Sequence, residues 1–331
     1  MRELVRTNNA VLVSAIGALL DGAGISHLVL DQHMSVLEGS LGILPRRILV
    51  DDERHDDARR LLEDAGLAHE LRALPVEQVS ETTDDAILGG RLRLRQQRRG
   101  HRIGHDAILL AAATPARSGD HAVDLGAGVG AAGLALAMRV PDATVTLVEI
   151  DPALAALAED NVERNGLKAR TRVVVLDVAA PSDTFASQGL GPGSADHVLM
   201  NPPFHDLAQQ NVSPDPQRRA AHSAPSASLA DWIKAASWLL HSAGMLTMIW
   251  RADGLADVLT TLPPRFGGVV VLPVHGRAGQ PAIRVIVHAG KARRAPLSLL
   301  PGLILNDADC RPTTEAERVL RHAEALPLAE M

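Results

Sequence analysis

The stretch HAVDLGAGVGAAGLALAMR, residues 121–139, sets the expected fold of most of this chain. Its first five residues form a mostly apolar run typical of a buried strand, and its last nine have the periodicity of an apolar helix. Between them lie Gly126, Gly128 and Gly130, which let a backbone turn sharply and approach a ligand closely. A strand, a glycine loop and a helix in this order predict an α/β domain that binds a ligand at the strand's carboxyl end.

The residues that follow repeat this alternation of strand and helix. Two last strand patterns are separated by only seven residues, HGRAGQP, which is too few for a helical crossover. The pattern therefore predicts a doubly wound, mostly parallel sheet of seven strands that ends in an antiparallel hairpin. The predicted strands are residues 121–125, 143–150, 171–178, 195–201, 245–250, 267–274 and 282–290.

Acidic residues stand at the ends of three successive predicted strands, namely Asp124, Glu149 and Asp177. Residues 128–133 (GVGAAG) also satisfy the G-x-G-x-x-G pattern of dinucleotide-binding proteins, with Glu149 about 20 residues beyond. A nicotinamide-dependent oxidoreductase is therefore one alternative. A carboxylate beside a pyrophosphate is unfavourable, however, so three strand-end acids suit a positively charged nucleoside better than a doubly anionic one.

Residues 124–130 (DLGAGVG), with VEID and LD further along, resemble the glycine motif of Rossmann-like S-adenosylmethionine-dependent methyltransferases. The resemblance implies a class I methyltransferase fold and S-adenosylmethionine as the cofactor. Asp151, which precedes Pro152, is expected to cap a helix instead. The implied cofactor contacts are Asp124, Gly126, Gly128 and Gly130 on the methionine side, Glu149 at the ribose hydroxyls and Asp177 at the adenine, in preference to a role for Asp177 as a turn residue alone.

The segment NPPF comprises Asn201, Pro202, Pro203 and Phe204 and follows the fourth predicted strand. An amino group conjugated to a ring is a poor nucleophile, but the Asn201 side-chain oxygen and the Pro202 carbonyl can accept its two hydrogens. The prolines fix the backbone that presents this carbonyl. Phe204 is expected to stack on a flat substrate. The tetrapeptide resembles the (N/D)PP(Y/F) motif of methyltransferases that act on adenine N6, guanine N2, cytosine N4 or glutamine amides.

Taken together, residues 88–328 resemble the bacterial tRNA1(Val) adenine-37 N6-methyltransferase family. The resemblance rests on RLRLRQQRRGHRIGHDAILLAAA, the glycine loop, MNPPFHD, ADWIKAASWLLHSAGMLTMIWRADGLADVL and the tail VLPVHGRAGQPAIRVIVHAGKARRAPLSLLPGLIL. It implies an RNA substrate, namely tRNA. Phe204 followed by His205 also resembles ribosomal-RNA guanine-N2 enzymes, so guanine N2 and protein glutamine remain alternatives. A non-catalytic RNA-binding protein is a further one, although a binder has no need for the Asn201 amide.

Charge is distributed unevenly along the chain. The net charge is −6, and residues 1–80 hold 8 Lys and Arg against 13 Asp and Glu, so the remainder is nearly neutral. Basic patches at residues 91–102, at Arg218/Arg219 and at Lys291/Arg293/Arg294 could neutralise phosphates, although arginines on an edge strand also prevent aggregation. Further candidates for phosphate contacts are Arg251, Arg277 and Arg284. Asp106 is expected to cap the helix that follows it.

Cys310 is the single cysteine, and no paired Cys/His spacing is present, so neither a disulfide nor a metal site is expected. The apolar run near the N-terminus is interrupted by Asp21 and lacks the features of a signal peptide. No stretch approaches the ~20 apolar residues of a membrane span. The expected localisation is cytoplasmic, without membrane association, and the sequence leaves the oligomeric state open.

Residues 1–74 form a separate unit in the predicted organisation, followed by a linker at 75–90 and the methyltransferase domain at 91–331. The first segment predicts a small α+β domain, whose first helix is capped by Asn8 or Asn9. Through LVRTN, AGI, MSVLEGSLGILPRRILV and ARRLLEDAGL it resembles a small bacterial domain family known only as a prokaryotic signal-transducing protein. That family offers no chemistry to carry over, and the acidity of the segment disfavours direct RNA binding.

Overall fold

A computed structural model of the 331-residue chain describes residues 2–7, 9–30, 46–71, 82–98, 102–203 and 227–330. The chain divides into two compact units, residues 1–80 and 81–331. Part of the segment assigned to a linker from the sequence is structured, because residues 82–87 form a strand and residues 88–90 a 3-10 turn in the second unit. Among the described helices, none combines the length and the apolar character that a membrane span requires.

Within the described residues, the first unit is a three-stranded antiparallel sheet with two α-helices, which agrees with the small α+β domain predicted from the sequence. The strands have the order β1-β3-β2, and Leu4, Ile16, Ile48 and Leu62 are fully buried in the core. Asn9 caps the first helix, since its side-chain oxygen accepts hydrogen bonds from the backbone N–H groups of the second and third helical residues. The elements are β1 (Arg2–Thr7), α1 (Ala10–Gly22), β2 (His27–Leu30), β3 (Arg46–Val50) and α2 (His55–Asp64).

The second unit contains a nine-stranded sheet, a two-stranded hairpin and seven helices within the described residues. The hairpin is β4 (Thr82–Ile87) and β5 (Leu92–Gln97). The sheet strands are β6 (His121–Leu125), β7 (Thr144–Glu149), β8 (Thr171–Val175), β9 (Ala195–Met200), β10 (Leu240–Arg251), β11 (Phe266–Arg277), β12 (Ala282–Lys291), β13 (Ser298–Leu299) and β14 (Leu303–Asn306). The helices are α3 (His105–Ala113), α4 (Ala131–Arg139), α5 (Pro152–Arg164), α6 (Ser182–Ser187), α7 (Leu229–Leu239), α8 (Leu255–Thr261) and α9 (Thr314–His322).

The order of the large sheet is β8-β7-β6-β9-β10-β12-β11-β13, with β14 also paired to β11. Strands β8, β7, β6, β9 and β10 are parallel, whereas β12 runs antiparallel to both β10 and β11. This confirms the predicted Rossmann-like methyltransferase fold and its closing hairpin. The two short strands β13 and β14 add to the seven that the sequence predicted.

Helices cover both faces of this sheet. Successive side chains of each strand point to opposite faces, so each strand contributes residues to both packed layers. On β7, Leu147 packs into the cluster beneath α3, α4, α5 and α9, whereas its neighbour Val148 packs into the cluster beneath α6, α7 and α8. Both residues are almost fully buried. Residues on the central strands are therefore held by packing on both faces of the sheet.

Asn161 of α5 and Asn165, the residue directly after the end of that helix, cover the edge of the β4–β5 hairpin. Asn161 accepts a hydrogen bond from Arg95 N at 2.6 Å and donates one to Arg95 O at 2.9 Å, and Asn165 makes the same pair with Arg93. Each side-chain amide thus takes the place of one residue of a neighbouring strand. It gives hydrogen-bond partners to the backbone N–H and C=O groups at the edge of β5. Asn161 is fully buried and also donates to Val129 O.

Replacing Asn161 by alanine is expected to lower the free energy of unfolding by about 3 kcal/mol, because buried backbone groups of Arg95 and Val129 lose their partners. Urea unfolding followed by tryptophan fluorescence measures this unit, since all three tryptophans lie within it. The matched control is Asn165→Ala at the less buried position, where a loss of about 1 kcal/mol is expected. Equal losses in the two variants would contradict this assignment of the buried bonds.

Candidate active site at the carboxyl edge of the sheet

Four adjacent parallel strands end side by side. Leu125 of β6 pairs with Val148 of β7 and with Met200 of β9, and Glu149 of β7 pairs with Val175 of β8. The glycine loop, Asp177 and the Asn201 segment therefore leave the sheet from one edge. This edge is where ligands bind in doubly wound α/β folds.

The glycine loop is a tight turn in which three glycines adopt positive φ. The φ angles are 69° at Gly126, 57° at Gly128 and 88° at Gly130, a region that side chains rarely enter. Ala127 N donates to Val148 O at 2.9 Å, and Gly130 N donates to Ala127 O at 2.8 Å. No atom of the described residues lies within 4 Å of the position that a Cβ would take at Gly128. The middle of the loop therefore presents bare backbone to open space.

Asp124 is buried and connects β6 to α4. The residue is only 2% exposed, and its Oδ2 atom accepts a hydrogen bond from Gly133 N at 2.8 Å. A Cβ at Gly133 would overlap the Leu147 side chain, so only glycine allows this approach. Burial raises the pKa of Asp124 to about 7, the Gly133 N–H opposes that rise, and the charge of Glu149 adds to it. In the sequence, Gly133 is marked only as the last glycine of the G-x-G-x-x-G pattern, so its contact with Asp124 was not predicted.

This raised pKa gives a prediction for Asp124→Asn. Between the usual value of 3.8 and about 7, the folded protein holds a proton that the unfolded chain releases, so this group costs the wild type stability as pH rises through that range. As the pH rises through this range, the free energy of unfolding of the Asn variant should increase by about 2–4 kcal/mol relative to that of the wild type. Urea unfolding at about pH 5 and about pH 7.5 measures the difference. A pH-independent difference would contradict the raised pKa.

Glu149 ends β7 and fixes the glycine loop. Its Oε2 atom accepts a hydrogen bond from Gly128 N at 2.7 Å, and its Oε1 atom accepts one from Asp151 N at 2.9 Å. Asp151 in turn caps α5, with Oδ1 accepting from Ala153 N at 2.8 Å, which confirms the predicted cap. The residue expected to meet the ribose is thus only 6% exposed and held at both oxygens by backbone donors.

Asp177 lies two residues after β8 and is exposed. Its Oδ1 atom accepts a hydrogen bond from Ala179 N at 2.8 Å, which closes a local turn. The preceding residue is tied to β7, because Leu176 N donates to Glu149 O at 2.9 Å. Asp177 is therefore a turn residue in this structure, placed on the same edge as Glu149, and its role toward adenine stays a prediction.

Asn201 directly follows β9 beside the glycine loop. Its Oδ1 atom is buried and has no hydrogen-bond partner among the described residues. Pro202 is buried and Pro203 is exposed. A buried acceptor without a partner is uncommon in folded proteins, so a donor from outside the described residues is expected here. Phe204 and His205 lie outside the described residues.

Trp232 also lies at this edge of the sheet, and the sequence did not predict it as a site residue. A Cβ at Gly126 would overlap the Cη2 atom of Trp232, so the indole ring lies against the first glycine of the loop. The ring is 95% buried, and its Nε1 atom has no partner among the described residues. Trp232 lies on the apolar face of α7 with Ala235, Ala236 and Leu239. This periodicity predicts core packing and gives no sign of the contact with the glycine loop.

Asp106 does not cap α3, so that prediction was wrong. The residue before the helix is Gly104, and no side chain caps it; Asp106 lies in the first turn, where its Oδ2 atom accepts a hydrogen bond from Arg284 Nε at 2.8 Å. Arg251, which pairs with Arg284 across β10 and β12, forms an ion pair with Asp253. These two candidate phosphate contacts are therefore already bound to carboxylates.

Two arginines of the segment at residues 91–102 are paired with carboxylates. Arg95 lies 3.3 Å from Asp160, and Arg102 lies 2.9 Å from Asp85. Arg218 and Arg219 of the second basic patch lie outside the described residues. Arg277, a further candidate phosphate contact, donates to the sulfur of Cys310 at 2.7 Å. The structure therefore favours a structural role for Arg95 and Arg102.

Known proteins resemble both units of the chain. DUF2007, a family described as a prokaryotic signal transducing protein, matches residues 1–66. The tRNA1(Val) (adenine(37)-N6)-methyltransferase of Bacteroides thetaiotaomicron is 31% identical over 161 residues, which are 48% of this chain and 63% of the relative. The release factor glutamine methyltransferase of Chlorobaculum tepidum is 32% identical over 159 residues, which are 45% of this chain and 52% of the relative. The chain thus spans between half and two thirds of the curated relatives it matches.

A solved structure supports the same relationship. The crystal structure described as a predicted O-methyltransferase, Atu636 from Agrobacterium tumefaciens, is 31% identical, with a TM-score of 0.57 over 67% of this chain and 98% of that one. The methyltransferase small domain family matches residues 101–272, which include the glycine loop, the three strand-end acids and the Asn201 segment. Because this match spans more than half of its residues, the chain belongs to the methyltransferase small domain family.

Proposed function

We propose that this chain transfers the methyl group of S-adenosylmethionine to the N6 amino group of an adenine in tRNA. The observation that carries the proposal is the Oδ1 atom of Asn201, a buried acceptor without a partner among the described residues, which stands beside the glycine loop. An exocyclic amino group supplies the donor that this atom lacks. The activity is assigned to the unit formed by residues 81–331.

The residues at the edge of the sheet fit S-adenosylmethionine. The bare backbone of the glycine loop leaves room for the methionine part, with the Asp124 carboxylate behind it. Glu149 carries acceptor oxygens for the ribose hydroxyls, and Asp177 offers a carboxylate to the adenine amino group. Ile150, directly after Glu149, is 57% exposed despite its apolar side chain, which suits contact with a flat base. When bound, the cofactor would supply a methyl group on a positively charged sulfur, a neutral thioether would be its leaving group, and the methylated amino group would then release one proton.

Asn201 and Pro202 prepare the amino nitrogen for attack. The lone pair of that nitrogen is delocalised into the ring, which makes it a poor nucleophile. If Asn201 Oδ1 and the Pro202 carbonyl accept its two hydrogens, the nitrogen becomes pyramidal and its lone pair is directed to one side. Because β9 and the two prolines fix these acceptors before the substrate arrives, little reorganisation is needed during the reaction. Phe204 is assigned to stacking on the base by the family resemblance.

The topology supports methyl transfer over the oxidoreductase alternative. Dinucleotide-binding sheets have the strand order 3-2-1-4-5-6, whereas here the antiparallel β12 is inserted between β10 and β11. The similarity to tRNA1(Val) (adenine(37)-N6)-methyltransferases supports adenine as the substrate group. The similarity to a release factor glutamine methyltransferase makes a protein glutamine the second candidate.

The test is to incubate the purified full chain with isotope-labelled S-adenosylmethionine and separate RNA and protein fractions from a strain that lacks the gene. Label in the RNA, found as N6-methyladenosine after digestion to nucleosides, is the expected result. Label found as N2-methylguanosine, or only in protein glutamine, would replace adenine by the corresponding alternative. Absence of label from both fractions, with the cofactor bound, would overturn the proposal.

A further inference from the structure

We propose that a groove between α6 and α7 binds the phosphate backbone of the RNA substrate; this rests on the function proposed above. The groove, called here the α6–α7 groove, has a volume of about 430 Å³. The lining residues that carry the argument are Ser182, Lys234, Ser237, Arg265 and Lys291.

Three cations and one carboxylate line the α6–α7 groove. The cations are Lys234, Arg265 and Lys291, and the carboxylate is Asp231. Asp231 is already engaged, because its Oδ2 atom accepts hydrogen bonds from Ser228 N and Ser228 Oγ in the capping box of α7. The groove therefore presents a net positive charge to a ligand, as a site for phosphates requires.

The two exposed cations form no close ion pair with the described residues. Neither Lys234 nor Arg265 has a carboxylate oxygen of those residues within 4 Å of its charged nitrogens. Lys234 still acts on Asp231 three residues earlier, because the Ser228 hydrogen bonds and the charge of Lys234 both lower the pKa of that carboxyl. Lys291 donates to Leu240 O at 2.6 Å, which is a neutral partner. Positive charge without a carboxylate of the described residues within 4 Å is the feature expected of a phosphate contact.

The α6–α7 groove runs from the carboxyl edge of the sheet to the opposite edge. At the carboxyl edge, the groove residues Val178 and Ala179 directly follow Asp177. Lys234 lies in the middle of α7, which is about 16 Å long at 1.5 Å per residue. The other two cations lie at the opposite edge, because Phe266, directly after Arg265, pairs with Lys291 at the end of β12.

This spread of charge suits a polyanion rather than one small anion. A single phosphate is held by donors that converge on one point, whereas a nucleic-acid strand brings a new charge at regular intervals. Hydroxyl groups such as those of Ser182 and Ser237 also bind phosphate oxygens without regard to base sequence. We therefore expect the α6–α7 groove to position the RNA strand and to contribute affinity, while the Asn201 segment selects the atom that is methylated.

The test uses the full-length double variant Lys234→Ala/Arg265→Ala and measures binding of a labelled tRNA transcript by fluorescence anisotropy from ~50 to ~200 mM salt. The control Lys168→Ala/Arg318→Ala removes the same two charges at exposed positions elsewhere in the unit. Loss of two phosphate contacts should reduce the slope of log affinity against log salt by about 1.5. The KM for tRNA should rise about tenfold at low salt, and the affinity for S-adenosylhomocysteine should match the control.

The outcomes separate this proposal from the proposed function. If the wild type methylates tRNA and the double variant has the salt dependence and KM of the control, the groove does not bind RNA and the proposed function stands. If inorganic phosphate displaces RNA from the wild type and from the double variant equally at constant ionic strength, the groove proposal is also overturned. If the wild type neither binds nor methylates RNA, both proposals are wrong.

Discussion

Replacing Asn201 by alanine is expected to reduce the rate of methyl transfer roughly 100- to 1000-fold, the effect of removing one prearranged polar group from an active site. The buried Oδ1 atom lacks a partner among the described residues, so its removal disturbs little of the folded protein. The affinity for S-adenosylhomocysteine should change less than about threefold, because the contacts proposed for it lie at Asp124, in the glycine loop, at Glu149 and at Asp177. Single-turnover kinetics with tRNA give the rate, and calorimetric titration gives the affinity.

The matched variant is Asn201→Asp, which keeps an acceptor oxygen at the same position, loses the amide donor and adds a negative charge. If acceptance of the substrate hydrogens is what Asn201 contributes, this variant should retain within about tenfold of the wild-type rate. An Asn201→Ala variant with an unchanged rate, or one whose loss lies wholly in cofactor affinity, would remove Asn201 from the chemical step. Melting temperatures of both variants exclude a general loss of folding.

Local pattern was enough to predict the elements that make the edge of the sheet. The strand, turn and helix of residues 121–139, the cap at Asp151 and the closing hairpin each depend on residues close together in sequence. In such segments the periodicity of apolar residues, the position of glycine and the length of a connection act within a few residues. The sequence therefore specifies them before any tertiary contact is known.

Contacts between distant residues were not predictable in the same way. Trp232 and Gly126 are separated by more than a hundred residues, and Asp106 binds Arg284 across 178 residues. The local cue at Asp106, an acidic residue at a helix start, suggested a cap, but the helix begins one residue earlier and a cation from β12 takes the carboxylate. One sequence gives no signal for such pairs, since the side chains meet only after the sheet has formed.

Replacing Glu149 by alanine is expected to weaken S-adenosylhomocysteine binding about 100-fold, equivalent to about 2.7 kcal/mol. The change removes the acceptors proposed for the ribose hydroxyls and also frees Gly128 N and Asp151 N, which Glu149 now holds. Calorimetric titration measures the affinity. Glu159→Ala on α5 is the matched control, because it removes an exposed carboxylate of the same charge and should leave the affinity unchanged within about twofold.

A cofactor analogue separates the two effects of Glu149. The 2′-deoxy form of S-adenosylhomocysteine lacks one ribose hydroxyl but needs the same glycine loop. If Glu149 binds that hydroxyl, Glu149→Ala costs less affinity for the deoxy compound than for the parent, and the difference is the coupling energy between carboxylate and hydroxyl. Equal losses for the two compounds would mean that Glu149 acts only by holding Gly128 and Asp151. The ribose contact would then have to come from another group on this edge of the sheet.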